Sequence, residues 1–222
     1  ETKGDAAAAA PAAQASAAST AAIFPPSVWR TLREPLKHTL GDLRSAIVRE
    51  ACTLLEALSE AAGDGMRPLM RDLTTLLLNL LANGNRVIVE MVDRCMRHII
   101  AHTRFPRQLK DFVYQASTSR SKDLREAVAS YLKLILETWP AVISLEKEAD
   151  NLQTLVTILV EDASPKARVD ARAAYALFRV QWPQRAEKIL RNLDPRTAKM
   201  LASEGSAPAS GLATGGSFAS SV

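Results

Sequence analysis

Four short polar loops recur along the chain, each followed by the same arrangement of apolar and small residues. They read Gly41-Asp42-Leu43-Arg44-Ser45, Asn83-Gly84-Asn85-Arg86, Ser117-Thr118-Ser119-Arg120-Ser121-Lys122 and Asp162-Ala163-Ser164-Pro165-Lys166. Aligning the dipeptides that follow, Val48-Arg49, Val89-Glu90, Leu124-Arg125 and Ala167-Arg168, gives steps of 41, 35 and 43 residues. A period of that length holds one pair of helices, which cannot bury its apolar surface alone and must stack on the next pair.

The residues between the loops are helical in pattern. From Ser45 to Ala62, Val48, Ala51, Cys52, Leu55 and Leu58 fall at three- and four-residue spacing, with Arg49, Glu50 and Glu56 off the stripe. Aromatics make up only 5% of the chain and strand-like alternation is absent. The spacing predicts first helices near 27–40, 66–82, 106–116 and 146–161, second helices near 45–62, 86–103, 121–138 and 165–180, and a final helical segment after Pro183. Gly63-Asp64-Gly65, Pro106, Pro140 and Pro183 fall at the hand-over between units. Ser45, Ser121 and Ser164 are expected N-caps, and Pro165 suits a first helical turn. The fold class is therefore all-α, a HEAT-type α-solenoid of antiparallel helix pairs.

The folding unit is expected to span 23–204. Residues 1–22 are mostly alanine and 205–222 are Gly, Ser, Ala and Thr without charge, so both are read as disordered linkers. The chain starts at Glu1 rather than Met, which points to a fragment of a longer, multi-module protein. No stretch has 18 apolar residues free of charge, which excludes a membrane-spanning helix. Cys52 and Cys95 lie within helical patterns and are expected to be buried, reduced thiols.

The net charge of +4 is too small to call for nucleic acid, and loop aromatics for base stacking are few. The placement of the cations carries more: Arg44, Arg86, Arg120 with Lys122, and Lys166 fall at corresponding points of successive repeats, forming one basic ridge. Each opposes its helix dipole by about 0.3–1 kcal/mol, so their recurrence serves no stabilising purpose. A protein partner with acidic patches accounts for them. Cys95, His98 and His102 share a helix face at zinc-like spacing, but no fourth ligand is evident, and packing against the next repeat is the expected role. Glu146 with Asp150 and Glu161 with Asp162 read as solvated surface. With three histidines, no phosphate loop and no nucleophile elbow, the chain is expected to be neither an enzyme nor a cofactor binder.

The string Asp42-Leu43-Arg44-Ser45-Ala46-Ile47-Val48-Arg49-Glu50-Ala51-Cys52 resembles the opening of a repeat in TOG domains of the CLASP family, the microtubule-stabilising cytoplasmic linker associated proteins. Further segments, Ile99 to Arg107, Ser117 to Ser121, Leu134 to Trp139 and Asp162 to Arg172, follow that family's pattern in order, so the resemblance spans Trp29 to Leu201. It implies a HEAT paddle whose intra-repeat loops bind the tubulin heterodimer or microtubule. By the same resemblance Leu43, Arg44 and Ser45 belong to the second-repeat loop, Asn83, Asn85 and Arg86 to the third, Arg120 and Lys122 to the fourth, and Lys166 and Arg168 to the fifth. The family's first repeat presents a tryptophan to tubulin; here that repeat is expected to be missing, and Trp29 is expected to pack in the core. The implied module is a monomeric domain of the cytoplasm and cytoskeleton, on microtubules that include those of spindle or cilium. A HEAT scaffold for a partner other than tubulin is the alternative.

Overall fold

The computed structural model of the protein describes residues 24–42 and 44–204. The helices run α1 Pro26–Leu40, α2 Ser45–Ala62, α3 Arg67–Leu80, α4 Arg86–His102, α5 Leu109–Thr118, α6 Lys122–Thr138, α7 Ala149–Val160, α8 Pro165–Gln181, α9 Pro183–Asn192 and α10 Pro195–Glu204, with no strand among the described residues. The expectations for 1–22, for 205–222 and for Leu43 fall outside the described residues.

Odd- and even-numbered helices form two layers, each helix packing on the one two places along: α1 on α3, α3 on α5, α5 on α7, and likewise α2 on α4, α4 on α6, α6 on α8. Polar links between neighbours show that the repeats stack in register. In the even layer Glu56 meets Arg94 at 3.4 Å, Glu60 meets His98 at 3.0 Å, Asp93 accepts from Tyr131 at 2.7 Å and Glu126 accepts from Ser164 at 2.5 Å. Every one of these pairs is 38 residues apart in sequence, so α2, α4, α6 and α8 run parallel and start side by side. The odd layer repeats the device, with Arg33 to Asp72, Gln115 to Asn79 and Arg185 to Asp150.

Each helix owes its place to one apolar stripe. In α2 the buried residues are Val48, Ala51, Cys52, Leu55, Leu58, Ser59 and Ala62, a spacing of three and four that turns one face to α4. Between the layers lies a continuous core in which Trp139 sits edge-on to Phe105 at 5.2 Å and donates its indole N–H to the Ile100 carbonyl at 2.8 Å. Trp29 is buried and stacks on Phe24 at 5.4 Å, as expected of a core residue. Cys52 and Cys95 are buried free thiols.

Three details differ from expectation. The first helices of the later units open with 3₁₀ turns, Gly63–Met66, Pro106–Gln108 and Glu146–Glu148, so the α-helices proper begin at Arg67, Leu109 and Ala149. The segment after Pro183 is a fifth helix pair rather than one stretch, divided at Leu193 and Asp194. The aligned position Val89 is only half-buried; its neighbour Ile88 takes the core place that Leu124 and Ala167 hold in later repeats.

Candidate functional site

The turns that open the even helices are built on one local device. A short polar side chain accepts the backbone N–H two residues on: Asp42 from Arg44 at 2.8 Å, Asn83 from Asn85 at 2.8 Å, Ser119 from Ser121 at 3.2 Å and Asp162 from Ser164 at 2.7 Å. This is the turn that Asp, Asn and Ser form by mimicking a backbone carbonyl. The residue so held becomes the N-cap, and Asn85, Ser121 and Ser164 then accept from the first helical turn. The first repeat departs from expectation: Asp42 pins Arg44, which takes the N-cap place without a side-chain bond, and Ser45 becomes the first helical residue. Asp194 repeats the device at the fifth pair, accepting from Arg196 at 2.8 Å and Thr197 at 3.2 Å. Its backbone N–H donates to Glu161 at 3.3 Å, which joins the fifth turn to the fourth. Sequence reading passed over Asp194; its signal was the Asp before Pro195.

Because the even helices start side by side, these turns lie along one edge. The candidate residues on it are not equivalent. Arg44 is 73% exposed but its guanidinium is already paired with Asp42, at 3.0 and 2.9 Å. That side-chain bond, with the backbone N–H of Arg44, holds the Asp42 carboxyl down at about 2. Asn83 and Asn85 are exposed, yet their side-chain oxygens are committed to the turn. Arg86 is 78% exposed and reaches Glu90 only at 3.8 Å. Arg120 is exposed and has no hydrogen bond or ion pair to any described residue. Ser45 is half-buried at the start of α2.

Lys122 and Lys166 converge on Glu126 at 3.5 and 3.6 Å, where the Ser164 hydroxyl also donates. Burial disfavours the charge on Glu126, but the Ser164 hydroxyl and the two ammonium groups outweigh it and hold the carboxyl below the usual range. Both lysine side chains stay largely in water, so this cluster offers two cations and one sunken carboxylate. Arg168 is half-buried and turned back on its own loop, donating to the Asp162 carbonyl at 2.6 Å and the Ala163 carbonyl at 3.0 Å.

Of the carboxylates read as solvated, Asp162 is corrected: its side chain is 4% exposed and pairs with Arg125 at 2.7 Å. The partner lies 37 residues away in the preceding repeat, beyond the reach of local pattern. Glu146 accepts the Trp182 indole N–H at 2.6 Å, and Asp150 is met by Arg185 at 2.5 Å. Cys95 does not join His98 and His102, since its thiol is buried and points to the Cys52 carbonyl at 3.6 Å. On the opposite edge a groove of about 460 Å³ is lined by Arg67, Arg71, Phe105, Arg107 and Ile143, among others.

The chain is similar to known proteins in sequence and in fold. Residues 14–202 match the family model described as CLASP N terminal. The CLIP-associated protein of Arabidopsis thaliana is 29% identical over 170 residues, 77% of this chain and 12% of that protein. The CLIP-associating protein of Drosophila melanogaster is 29% identical over 163 residues, 73% of this chain and 11% of that one. CLIP-associating protein 1-B of Xenopus laevis is 30% identical over 174 residues, 78% and 12%. The chain thus spans a small part of each relative. A structure solved in work on microtubule plus-end tracking by XMAP215, CLIP-170 and EB1 has the same fold, with TM-score 0.62, 17% identity and coverage of 79% of this chain and 74% of that one. Another, from work on TOG–tubulin binding specificity in microtubule dynamics and mitotic spindle formation, has TM-score 0.57, 14% identity and coverage of 78% and 66%. With the family model matched over most of its length, the chain belongs to the CLASP N-terminal family.

Proposed function

We propose that this chain is a tubulin-binding, TOG-like module of a microtubule regulator, docking the tubulin heterodimer or microtubule through the turns that open the even helices. The observation that carries the reading is the state of Arg86 and Arg120. They occupy corresponding places in successive turns and are exposed; Arg86 makes only a long, solvated pair with Glu90 at 3.8 Å, and Arg120 has no hydrogen bond or ion pair to any described residue. Cations placed in a row without internal duty suit an acidic protein surface. Lys122 and Lys166 extend the row, and Arg44 stands at its start. The names of the CLIP-associating relatives and the TOG–tubulin neighbour support tubulin as that partner.

Such a module acts by binding, not by catalysis, and discriminates among tubulin states only through its difference in affinity for them. It works as a monomeric domain on the microtubule cytoskeleton, within a larger protein whose further modules raise avidity by about 10²- to 10⁴-fold. The test is size-exclusion co-elution of the chain with unpolymerised tubulin at low salt, beside a variant carrying Arg86→Glu and Arg120→Glu. Co-elution by the parent chain and its loss in the variant is the expected result. Equal co-elution by both would reject the edge.

The opposite groove favours a second reading, a scaffold for a different protein. Its three arginines around Phe105 and Ile143 suit a segment with carboxylates and one apolar anchor. No co-elution of the parent chain with tubulin, together with binding of a carboxylate-rich peptide that is lost on Arg71→Glu and Arg107→Glu, would favour that reading.

A further inference from the structure

Glu60, near the C-terminal end of α2, and His98 and His102, one turn apart on α4, each bring a potential ligand atom within 4.8 Å of the other two. The two imidazoles face each other with ring centroids 4.4 Å apart. His102 Nδ1 lies 2.8 Å from the His98 carbonyl oxygen. A carbonyl only accepts, so Nδ1 carries the proton and the lone pair of His102 is on Nε2. Histidines that ligate metals are oriented in this way, the second ring nitrogen donating to a backbone carbonyl. His98 Nε2 is within 3.0 Å of Glu60 Oε1 but lacks the alignment of a hydrogen bond, and that nitrogen is buried with no other hydrogen-bond partner among the described residues. A buried ring nitrogen held beside a carboxylate, but misaligned for a hydrogen bond to it, is placed to share a cation with that carboxylate.

We propose that Glu60, His98 and His102 form a binding site for a Zn²⁺-class divalent cation. Two imidazoles and one carboxylate are a zinc donor set that leaves one position to water. The nitrogen donors select against Ca²⁺ and Mg²⁺, which take oxygen. The α2 and α4 C-termini also place the negative ends of two helix dipoles beside the ion. Glu60 is 60% exposed, so the ion enters directly from solvent with no rearrangement of the core. The bound ion joins consecutive repeats, α2 to α4, on the edge away from the docking turns. About 15 residues of helix separate the two places, a rise of about 1.5 Å per residue, so the site stands apart from the tubulin reading.

The experiment is a Co²⁺ titration of the full chain, free of any affinity tag, at neutral pH, followed by visible absorption, with Zn²⁺ added in parallel thermal unfolding. Expected are one equivalent of Co²⁺ with four-coordinate d–d bands and no thiolate-to-cobalt charge-transfer band, and a rise of the unfolding midpoint with Zn²⁺. His102→Ala and Glu60→Gln should each weaken Co²⁺ binding at least about tenfold and abolish the Zn²⁺-dependent rise. Glu60→Gln alters an exposed side chain, so its metal-free midpoint should stay unchanged and keep the test valid if His102→Ala perturbs the fold. Absence of saturable binding, binding undiminished in both variants, or a thiolate band implicating Cys52 or Cys95 would each overturn the site.

Discussion

The Arg125 guanidinium stands 2.7 Å from the Asp162 carboxylate, and both side chains are nearly sealed from solvent, at 16% and 4% exposure. Arg125 also donates to the Ser119 carbonyl at 3.0 Å. One side chain therefore grips its own turn and the turn of the next repeat. Asp162 spends its second oxygen on the Ser164 N–H, so the pair fixes both the shape of the fourth turn and its distance from the third. The spacing of the third and fourth turns on the proposed docking edge is thus set by a buried charge pair beneath them.

Asp162→Ala should be among the most destabilising single changes on this edge. It removes the turn acceptor and leaves a buried guanidinium uncompensated, a loss of about 3–5 kcal/mol. Denaturant unfolding checks the value. Adding Arg125→Met should recover part of the loss, since the orphaned charge goes with it. Strict additivity of the two changes would mean that the residues do not interact.

Asp42 makes a prediction about acid. Its folded carboxyl titrates at about 2, below the ordinary 3.8, because the Arg44 side chain and backbone N–H favour the charged form. A depressed carboxyl contributes stability that is complete above the unfolded value and disappears as pH falls through the folded one. The Asp42 turn should therefore hold down to about pH 4 and loosen between about pH 4 and 2. Carboxyl NMR titration should give a midpoint near 2 for the parent chain and a higher one, nearer 3.8, for Arg44→Ala. An unchanged midpoint would dismiss the guanidinium as the cause.

Much of this architecture is legible in the sequence, and the places where it is not have physical reasons. The even helices carry full apolar stripes and polar turn residues before them, so α2, α4, α6 and α8 were read to within a residue or two. Among the odd helices, α3, α5 and α7 are preceded by 3₁₀ turns, whose three-residue repeat blurs the helical stripe, and the sequence pattern places the starts of these three too early. The fifth pair is joined by only Leu193 and Asp194, too short to stand out as a loop. At the docking edge the cations were visible as residues, but their employment was not. Whether an arginine is free depends on acceptors that local pattern does not reveal: Arg125 finds Asp162 37 residues on, and Arg168 finds carbonyls of its own folded loop.

Gly63 is required by conformation and not by space. It closes α2 at φ +50° and ψ −128°, and a Cβ there would meet the His102 carbonyl oxygen at an ordinary 3.7 Å. Gly63→Ala should then cost about 1–3 kcal/mol through backbone strain alone. It should also weaken the bond that the Thr103 hydroxyl donates to the Gly63 carbonyl at 3.0 Å. A thermal midpoint equal to that of the parent would show that the turn relaxes without strain.

Two arginines that a charge pattern treats alike have different employment in the fold. Arg120 and Arg168 both stand near the opening of an even helix, and the family resemblance makes both candidates for tubulin-binding loops. Arg120 has no hydrogen bond or ion pair to any described residue, whereas Arg168 fills two loop carbonyls at 2.6 and 3.0 Å. Arg120→Glu should leave stability within about 0.5 kcal/mol of the parent, as exposed substitutions do. Arg168→Glu withdraws a charged donor from two carbonyls and places a carboxylate against them, and should cost about 1.5–3 kcal/mol. Tubulin affinity should follow the other order, if measured where both variants are folded: Arg120→Glu lowers it directly, and Arg168→Glu lowers it only as the fourth turn loosens. Because exposed charges are screened within about 10 Å at 0.1 M salt and about 3 Å at 1 M, the Arg120 contribution should vanish as salt rises. A defect in Arg120→Glu that persisted at high salt would place an apolar contact, not the basic row, at the heart of docking.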